Sequence, residues 1–443
     1  MRSLTPAFLA LSLLTFDATA RSRAVVPAND GAVRPAETHS IRALNEIAIA
    51  PVSNDPSIHQ TTPVIASDGD SFLVVWRESS DCCFWNGEDD APGSLYALRL
   101  NSRGESTGPP GLISSSALSP EPGVAFDGTH YLVLWYETDG SFPRLVGQRF
   151  TSDAIPVDAE PYFIVYDSAP AGGIGLACAE DDCLTIFRRG VALLSKHGAV
   201  LRVDLGSGTE RSDVITTSNG YAATLPMEGE LLYSPYGVIG PSYLPALADF
   251  PRGSVDAIDP MPLLEHWERS GSVLTPGIQT SIAMSGSSIL TAWSEEFEFV
   301  DGRMLVRQVP SDRRERRFWS DPLVITAPTI DGRMATLRDP ELAWVGSKFL
   351  LAFQTSNESS SRPLTKGDIA GLWIAEDGSA VDSIFKLTSS EEVESIPSLA
   401  VNDRRLIALA FVRGIGETAG STNSRLFVKM LSDSANRSRP VRR

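Results

Sequence analysis

The chain of 443 residues contains little cysteine and little histidine, four and five residues respectively. Four cysteines are too few for a fold held together by disulfides. Neither cysteine pair has the C-x-x-C spacing of a zinc site, and no histidine lies near enough in the sequence to complete one. The sequence therefore predicts no metal site and no disulfide-rich scaffold.

Basic residues are also scarce relative to acidic ones. The 38 Lys and Arg residues face 55 Asp and Glu residues, which gives a formal net charge of −17. A strongly acidic chain is repelled by phosphate backbones and by anionic lipid. Nucleic acid is thereby excluded as an expected partner, and the acidity indicates a protein that is soluble outside the cell.

No apolar run approaches the roughly 20 residues that a membrane-spanning helix needs. The nearest is Ala7–Phe16, which follows Arg2 and precedes the small-x-small site Ala18-Thr-Ala20. This order of charge, apolar run and cleavage site is typical of a secretory signal peptide. We predict that residues 1–20 are a signal peptide and that the chain is exported, to the periplasm or the extracellular space, without a membrane span.

What the sequence does contain is one unit that recurs seven times. Pro63-Val-Ile-Ala-Ser-Asp-Gly69 is followed by Phe72-Leu-Val-Val-Trp-Arg-Glu78, and Pro122-Gly-Val-Ala-Phe-Asp-Gly128 is followed by Tyr131-Leu-Val-Leu-Trp-Tyr-Glu137. Such self-similarity indicates one supersecondary unit that is stacked many times. The third and fourth copies are degenerate. Each copy is marked by its first small residue: Ala66, Ala125, Ala177, Thr216, Ala283, Ala343 and Ala400.

Each copy has the local chemistry of short antiparallel strands. The runs are β-branched and aromatic and are bounded by Gly, Asp, Asn and Pro, and a third stretch, such as Leu95–Leu100 or Glu230–Tyr233, and a weaker fourth follow. No copy contains a long amphipathic helix. The pattern predicts an all-β fold, a seven-bladed β-propeller of four-stranded antiparallel blades, with six or eight blades as the alternative. Residues 245–278 are expected to form an irregular fourth strand with a long surface loop.

The two ends of the repeat array complement each other. The last copy stops after its third strand, near Leu431, while the stretch 41–50 has the character of a fourth strand that belongs to no copy. Pairing between these two segments would close the ring and remove an exposed sheet edge. We therefore divide the chain into a signal peptide, a flexible lead-in, a propeller and a basic tail, over residues 1–20, 21–40, 41–434 and 435–443.

The repeat resembles the P-x-V-A-x-D-G-x-x-Y-L-V-V-W units of exported bacterial β-propeller proteins. The resemblance spans roughly the predicted propeller and is good in five of the seven copies. It implies the propeller fold, export and a bacterial origin. It implies no settled activity and no catalytic residues.

A Trp-x-Glu motif ends the second strand of three copies. The tryptophans, Trp76, Trp135 and Trp293, are predicted to pack between blades because of their large apolar surface. The glutamates are expected where the second strand meets a loop-rich face, and binding sites favour loops on a rigid scaffold. The alternative is that each glutamate bonds the backbone amides of a loop. The predicted ligand-binding residues on this face are Glu78, Glu137, Glu295, Glu121 and Asp339.

These features favour an exported, non-catalytic monomer that binds a glycan, a cell-surface component or a protein partner. The alternative is a hydrolase or lyase that acts on polysaccharide through carboxylates at the channel mouth, although no spacing singles out an acid pair. No cofactor is predicted. The acidic turns at Asp68/Asp70, Glu88–Asp90 and Glu180–Asp182 lack the spacing of a Ca²⁺ loop and are interpreted as solvated turns, with Ca²⁺ as the alternative.

The cysteines form two pairs along the sequence. Cys178 and Cys183 enclose four residues that are typical of a tight turn between strands, so we predict a disulfide across this hairpin. Cys82 and Cys83 are adjacent and either form a vicinal disulfide or remain thiols.

Overall fold

A computed structural model describes the fold of most of the chain. The described part contains strands and turns and no helix, so the predicted all-β class is confirmed. The predicted signal peptide, Cys82, Cys83 and the predicted basic tail lie outside the described residues. The described ranges are 25–26, 41–80, 92–118, 121–138, 142–167, 172–205, 212–234, 237–263, 279–297, 300–312, 319–327, 329–330, 333–356, 367–414 and 423–433.

Two strands precede the first repeat. The first three sheets then follow one another in the order of the chain. Sheets 1 and 2 are linked by one pairing, Ala117 with Glu137, into a continuous strand order. The first strands are β1 (Val25–Val26) and β2 (Ile41–Ala48). Sheet 1 contains β3 (His59–Ser67), β4 (Phe72–Ser79), β5 (Gly93–Leu100) and β6 (Gly111–Ala117); sheet 2 contains β7 (Gly123–Phe126), β8 (Tyr131–Thr138), β9 (Pro143–Phe150) and β10 (Tyr162–Tyr166); sheet 3 contains β11 (Gly175–Cys178), β12 (Asp182–Phe187), β13 (Gly190–Ser195) and β14 (Val200–Asp204).

Four further sheets repeat the same antiparallel order. Sheet 4 contains β15 (Val214–Thr217), β16 (Gly220–Ser234), β17 (Gly237–Pro251) and β18 (Ile258–Pro262); sheet 5 contains β19 (Thr280–Met284), β20 (Ser288–Phe297), β21 (Val300–Pro310) and β22 (Leu323–Thr326); a short hairpin of β23 (Thr329–Ile330) and β24 (Arg333–Met334) follows. Sheet 6 contains β25 (Thr336–Trp344), β26 (Phe349–Ser356), β27 (Gly367–Ile374) and β28 (Phe385–Lys386), and sheet 7 contains β29 (Glu394–Val401), β30 (Leu406–Arg413) and β31 (Arg425–Asp433) together with β2.

Sheet 4 differs from the sequence prediction. The predicted third stretch, Glu230–Tyr233, belongs to the second strand β16, and the third strand is β17. The polar interruption near Glu228 does not end the strand, because shifts of register between Glu228 and Leu231 accommodate it and the pairing continues. Part of the predicted long connection therefore lies in β17 and β18, and residues 264–278 lie outside the described part.

The stretch that precedes the first repeat pairs with the last one. Strand β2 runs antiparallel to β31, from Ile41 opposite Asp433 to Ala48 opposite Phe427. Within the lead-in, β1 pairs in parallel with β22 of sheet 5, an association that the sequence did not predict. Sheet 7 thus takes its fourth strand from the other end of the chain.

The first strands of the seven sheets contact one another in a cyclic order. Strand β3 contacts β7, and each first strand then contacts the next one in the order β7, β11, β15, β19, β25 and β29. Strand β29 contacts β3 again, which completes the cycle. The second strands are apolar along almost their whole length, as in β4, where all residues from Phe72 to Ser79 are buried. Apolar clusters between neighbouring sheets cover both faces of these strands, as a propeller-like arrangement requires. The first strands therefore surround a common central space.

Candidate functional site

A cavity of about 230 Å³ lies among the seven first strands. Every sheet contributes to its lining, in sheets 1, 6 and 7 from well inside the first strand and in the other sheets from the start of that strand or just before it. Several of these residues lie opposite the middle of the second strand, as the pairings of Val64 with Val75 and of Glu341 with Ala352 illustrate. The lining residues are Val64, Ile65, Glu121, Pro122, Gly123, Val124, Gly173, Ile174, Gly175, Leu176, Ser212, Asp213, Thr280, Ile282, Glu341, Leu342, Ser398 and Leu399.

Branched aliphatic side chains recur around this cavity at one repeat position, the residue before the small residue that marks each copy. Side chains at this position also pack against the cores between sheets, as Ile65 and Leu342 do in two different clusters. These side chains therefore contribute mainly to the apolar cores, and the surface that the cavity exposes is mostly polar. The six residues at this position are Ile65, Val124, Leu176, Ile282, Leu342 and Leu399.

Three carboxylates line the same cavity. Glu121 belongs to sheet 2, Asp213 to sheet 4 and Glu341 to sheet 6, so they alternate with sheets that contribute none. All three residues are partly exposed. The described lining contains no Lys, Arg or His. The charged side chains of the cavity are thus all of negative sign.

Hydrogen bonds between neighbouring first strands hold this lining in place. The amide of Ile282 donates to Oδ2 of Asp213 at 3.0 Å, and the hydroxyl of Ser281 donates to the same oxygen at 3.1 Å. The amide of Leu342 donates to Oγ of Ser281 at 3.0 Å. On the other side of the ring, the amide of Ile65 donates to a serine hydroxyl of sheet 7 at 3.2 Å. The relative positions of the strands around the cavity are therefore fixed by side chains as well as by packing.

Three first strands enter the cavity region through a kink before a proline. Thr62, Asp339 and Ile396 have φ values of 47°, 49° and 54°, and each lies in a β-bulge and precedes a proline. A left-handed backbone is costly for such residues, above all for a β-branched one. The same kink in three copies indicates a repeated structural device that shapes the rim of the cavity.

Glu78, a predicted ligand-binding residue, is buried and hydrogen-bonded. Its carboxylate accepts from the amides of Val52 and Ser53, at 2.9 and 3.1 Å for the shortest contact with each, and from the indole of Trp76 at 3.1 Å. The side-chain amide of Gln60 donates to it at 3.1 Å. This geometry fits the alternative in which the glutamate bonds the amides of a loop.

Glu137 is similarly engaged. Its carboxylate accepts from the indole of Trp135 at 3.1 Å, from Arg144 at 2.8 Å and from the hydroxyl of Ser114 at 3.2 Å. Only 7% of the residue is exposed. The recurring Trp-x-Glu motif therefore acts in these two sheets as an internal hydrogen bond that joins a buried indole to a strand end.

The other predicted residues lie in different surroundings. Glu121 lines the cavity, while Asp339 is buried at the kink beside it, with its amide donating to Oε1 of Gln279 at 2.6 Å. The backbone of Glu295 pairs with Arg303 in sheet 5, and its side chain lies outside the described part. The sequence prediction missed Asp213 and Glu341. Glu341 lies two residues before the small residue of its copy and Asp213 three residues before, a position that the degenerate fourth repeat obscures for Asp213.

Cys178 and Cys183 form a disulfide in the structure. They lie directly opposite each other on β11 and β12, on either side of the turn. We expect peptide mapping of the non-reduced protein to recover them as one linked peptide, because neighbouring antiparallel strands hold the two Cβ atoms close together. Two free thiols at these positions in the exported protein would contradict this prediction. A map of the Cys178→Ser variant, in which Cys183 should appear as a thiol, is the control.

Another buried carboxylate, Glu394, lies outside the cavity lining. Burial raises its pKa, even though Thr388 and Arg413 favour the charged form. Arg413 contacts it at 2.7 Å and also contacts Glu46 of β2 at 2.7 Å. This network therefore joins sheet 7 to its N-terminal strand rather than serving the cavity. Across the described ranges, no group of three or more His, Cys, Asp or Glu side chains is arranged to hold a metal ion.

Comparison with known proteins gives no family. No protein-family model matches the chain, and no curated protein does. Solved structures with weak similarity include hydrazine synthase of Kuenenia stuttgartiensis, with a TM-score of 0.43 and 9% identity over 68% of this chain and 78% of that one. A subtype N10 neuraminidase-like protein of A/little yellow-shouldered bat/Guatemala has a TM-score of 0.36 and 9% identity over 89% and 99%. The hemagglutinin-neuraminidase ectodomain of parainfluenza virus 5 has a TM-score of 0.43 and 8% identity over 89% and 87%.

All three TM-scores are low, so neither the fold described above nor the function proposed below depends on these proteins. Within the described residues, no helix is both long and apolar enough to traverse a bilayer.

Proposed function

We propose that this chain is an exported, seven-bladed β-propeller that binds a ligand in its central cavity without transforming it. The ring would be closed by β2, which serves as the fourth strand of the last blade. The cyclic contacts of the seven first strands and the pairing of β2 with β31 support this architecture. The ligand would be a glycan, a cell-surface component or a protein partner, and we predict the bacterial, exported setting from the sequence.

The single observation that carries the proposed function is the cavity itself. It collects residues from all seven sheets, which are far apart in the sequence. A concave pocket that several elements of a scaffold build together is the default position for a ligand site.

Polysaccharide hydrolysis or lysis is the second candidate, because three carboxylates share this cavity. Acid catalysis by a carboxyl group needs a raised pKa close to the substrate. Glu394, an acid whose pKa is raised by burial, contacts Arg413 and is not part of the lining. The carboxylate of Asp213 accepts hydrogen bonds from the amides of Val214 and Ile282 and from the hydroxyl of Ser281. These contacts favour binding over catalysis.

A pair of substitutions at one position tests the site. Glu341→Trp should fill the cavity, while Glu341→Gln keeps its volume. We expect the mature protein to retain a glycan or cell-envelope fraction, measured on a glycan array and by pull-down with purified envelope polymer. Glu341→Trp should weaken that binding by about tenfold or more, which corresponds to about 1.4 kcal/mol.

Glu160, an exposed residue outside the cavity, provides the control. Glu160→Trp adds the same bulk elsewhere and should leave binding unchanged. Equal binding by Glu341→Trp and the unsubstituted protein would show that the ligand does not enter the cavity. Release of a new reducing end from the bound polymer would instead favour the hydrolase.

A further inference from the structure

The outer edge of sheet 5 carries a strand that does not belong to its repeat. The order of the sheet is β1, β22, β21, β20 and β19, so β1 lies beyond the fourth strand. Strand β1 runs parallel to β22, with Val25 opposite Val324 and Val26 opposite Ile325, whereas the other strands of the sheet pair in the antiparallel sense. Proteins that bind a peptide by strand addition use a sheet edge in the same way. Here the added segment comes from the chain itself.

The sequence of β22 leaves this edge open to pairing. Edge strands are commonly protected from association by charged side chains or by proline. The fourth strand of sheet 3, β14, has exposed Arg202 and Asp204, and that of sheet 4, β18, contains Pro260 and Pro262. Strand β22 has the sequence Leu-Val-Ile-Thr and contains neither kind of residue. Its edge is therefore suited to accept an added strand, and β1 occupies that position.

The segment that occupies this edge covers only half of it. Strand β22 extends over four residues, Leu323–Thr326, and two of them pair with β1. Pro27 follows Val26 directly in the sequence and has no amide hydrogen with which to extend the ladder. The hydrogen bonds of two residues gain little free energy beyond the entropy that is lost when the two residues are fixed. A longer segment without proline would pair with all of β22 and displace β1.

This edge is separate from the central cavity. Sheet 5 lines the cavity through Thr280 and Ile282 of β19, the strand at the opposite end of the sheet from β22. A ligand in the cavity and an added strand at the outer edge would therefore not exclude each other. The edge is a second candidate site, independent of the proposed function.

We propose that the outer edge of β22 is a docking site for an extended segment of a partner protein, and that the lead-in covers this site in the unbound chain. The partner segment pairs in parallel with β22 and presents at least four consecutive uncharged residues, β-branched as Val25 and Val26 are. The lead-in is then an intramolecular competitor, which protects the edge from other chains until a longer segment binds.

A fluorescently labelled peptide tests this site on the mature chain by anisotropy. The probe is the amidated peptide SRAVVTVS, which contains four consecutive β-branched residues. The control peptide has the same sequence with methylated amide nitrogens at its three valines, which removes their hydrogen-bond donors. Because main-chain hydrogen bonds supply the affinity of an added strand, we expect the probe to bind about tenfold or more tightly than the control. Equal binding of the two peptides, or binding of neither, would overturn the proposal.

Substitution within β1 shows whether the lead-in covers the site. The double variant Val25→Pro with Val26→Pro removes both backbone donors of β1. We expect it to bind the probe about fivefold more tightly than the unsubstituted chain, because the edge would be free in only about one fifth of the unsubstituted molecules. The control variant Ala32→Pro with Val33→Pro makes the same change outside β1 and should leave the affinity unchanged. Equal affinity of the first double variant and the unsubstituted chain would contradict the cover.

Hydrogen exchange measured by mass spectrometry locates the probe. We expect the probe to slow amide exchange in β22 and to leave exchange unchanged in β10, the fourth strand of sheet 2, which also lacks charged residues and proline. Slower exchange in β10 instead of β22 would place the peptide at another edge and overturn the proposal. Dimerisation of the mature chain that the first double variant abolishes, measured by light scattering, would show that copies exchange their lead-ins and would overturn it as well.

The cavity variant separates this proposal from the proposed function. Glu341→Trp should bind the probe as tightly as the unsubstituted chain, because the cavity and the edge lie at opposite ends of sheet 5. Loss of probe binding in this variant would place the peptide in the cavity and contradict docking at the edge. Loss of glycan or envelope binding with probe binding retained is the result expected when both sites exist.

Discussion

Deletion of residues 21–50 is expected to leave the protein aggregated or without a cooperative unfolding transition. This segment contains β2, which pairs along its length with β31 and supplies the fourth strand of sheet 7. It also contains Ile49, which is 95% buried in the cluster between sheets 7 and 1. Without it, β31 would present an unpaired edge, which is a template for association between chains. Size-exclusion chromatography and a thermal melt would measure the effect.

A shorter truncation and a point substitution separate the strand from its charges. A truncation that removes only residues 21–40 retains β2. Its melting temperature should be close to that of the mature protein. Glu46→Gln removes the ion pairs with Arg413 and Lys429, at 2.7 and 3.2 Å. This substitution should lower the free energy of unfolding by only about 0.5–1 kcal/mol, because the two ion pairs are partly exposed. If the protein without residues 21–50 melts like the mature protein, ring closure by β2 is wrong.

The Glu46 contacts also give the pairing of β2 with sheet 7 a dependence on pH. Burial opposes ionisation of this carboxyl, but Arg413 and Lys429 outweigh it and lower the pKa. A carboxyl whose pKa is lowered by folding stabilises the fold above its unfolded value, and this contribution is lost as the pH falls through the folded value. Acid should therefore loosen the attachment of β2 to sheet 7.

The repeated strands could be predicted because each carries its own local signal. The second strands are apolar at nearly every residue, as in Phe72–Trp76, and a turn rich in Gly and Asp precedes them, so pattern and propensity agree. The pairing of residues 41–48 with β31 followed from a missing strand at one end and an extra one at the other. The fourth strands are harder to predict from the sequence, since some are as short as Phe385–Lys386. The long β16–β17 hairpin was missed because a bulge looks like an interruption in the sequence.

The candidate site was less predictable because its residues meet only through the ring. Glu78 was recognised as a repeated residue, but its partners Val52 and Ser53 lie in a connection that shows no pattern. Asp213 and Glu341 come from different copies, and their shared cavity follows from the cyclic order of seven strands. Periodicity identifies equivalent positions; it does not reveal which of them differ in charge. The acidic lining is a property of these differences between copies.

Trp135→Ala is expected to destabilise the protein by about 3–5 kcal/mol, the usual range for truncating a buried aromatic side chain. Trp135 is 1% exposed and lies in the cluster between sheets 1 and 2 with Tyr131 and Phe150. Its indole also donates to Glu137 at 3.1 Å. Truncation would open a cavity between blades and deprive a buried carboxylate of one donor, while Arg144 would keep the charge partly compensated. The midpoint and slope of denaturant unfolding would measure the loss.

Two matched variants separate packing from hydrogen bonding at this position. Trp135→Phe keeps most of the ring and removes the N–H donor. Loss of the hydrogen bond from the indole to Glu137 should lower the free energy of unfolding by about 0.5–1.5 kcal/mol, the net value of a typical hydrogen bond. Trp344→Ala removes an equally large side chain that is only partly buried, although it packs on Phe349 with centroids 4.7 Å apart, so it should cost less than Trp135→Ala. An unchanged midpoint for Trp135→Ala would mean that this indole is not part of the packing between blades. The Trp-x-Glu motif would then have to be reconsidered as a surface that meets ligand.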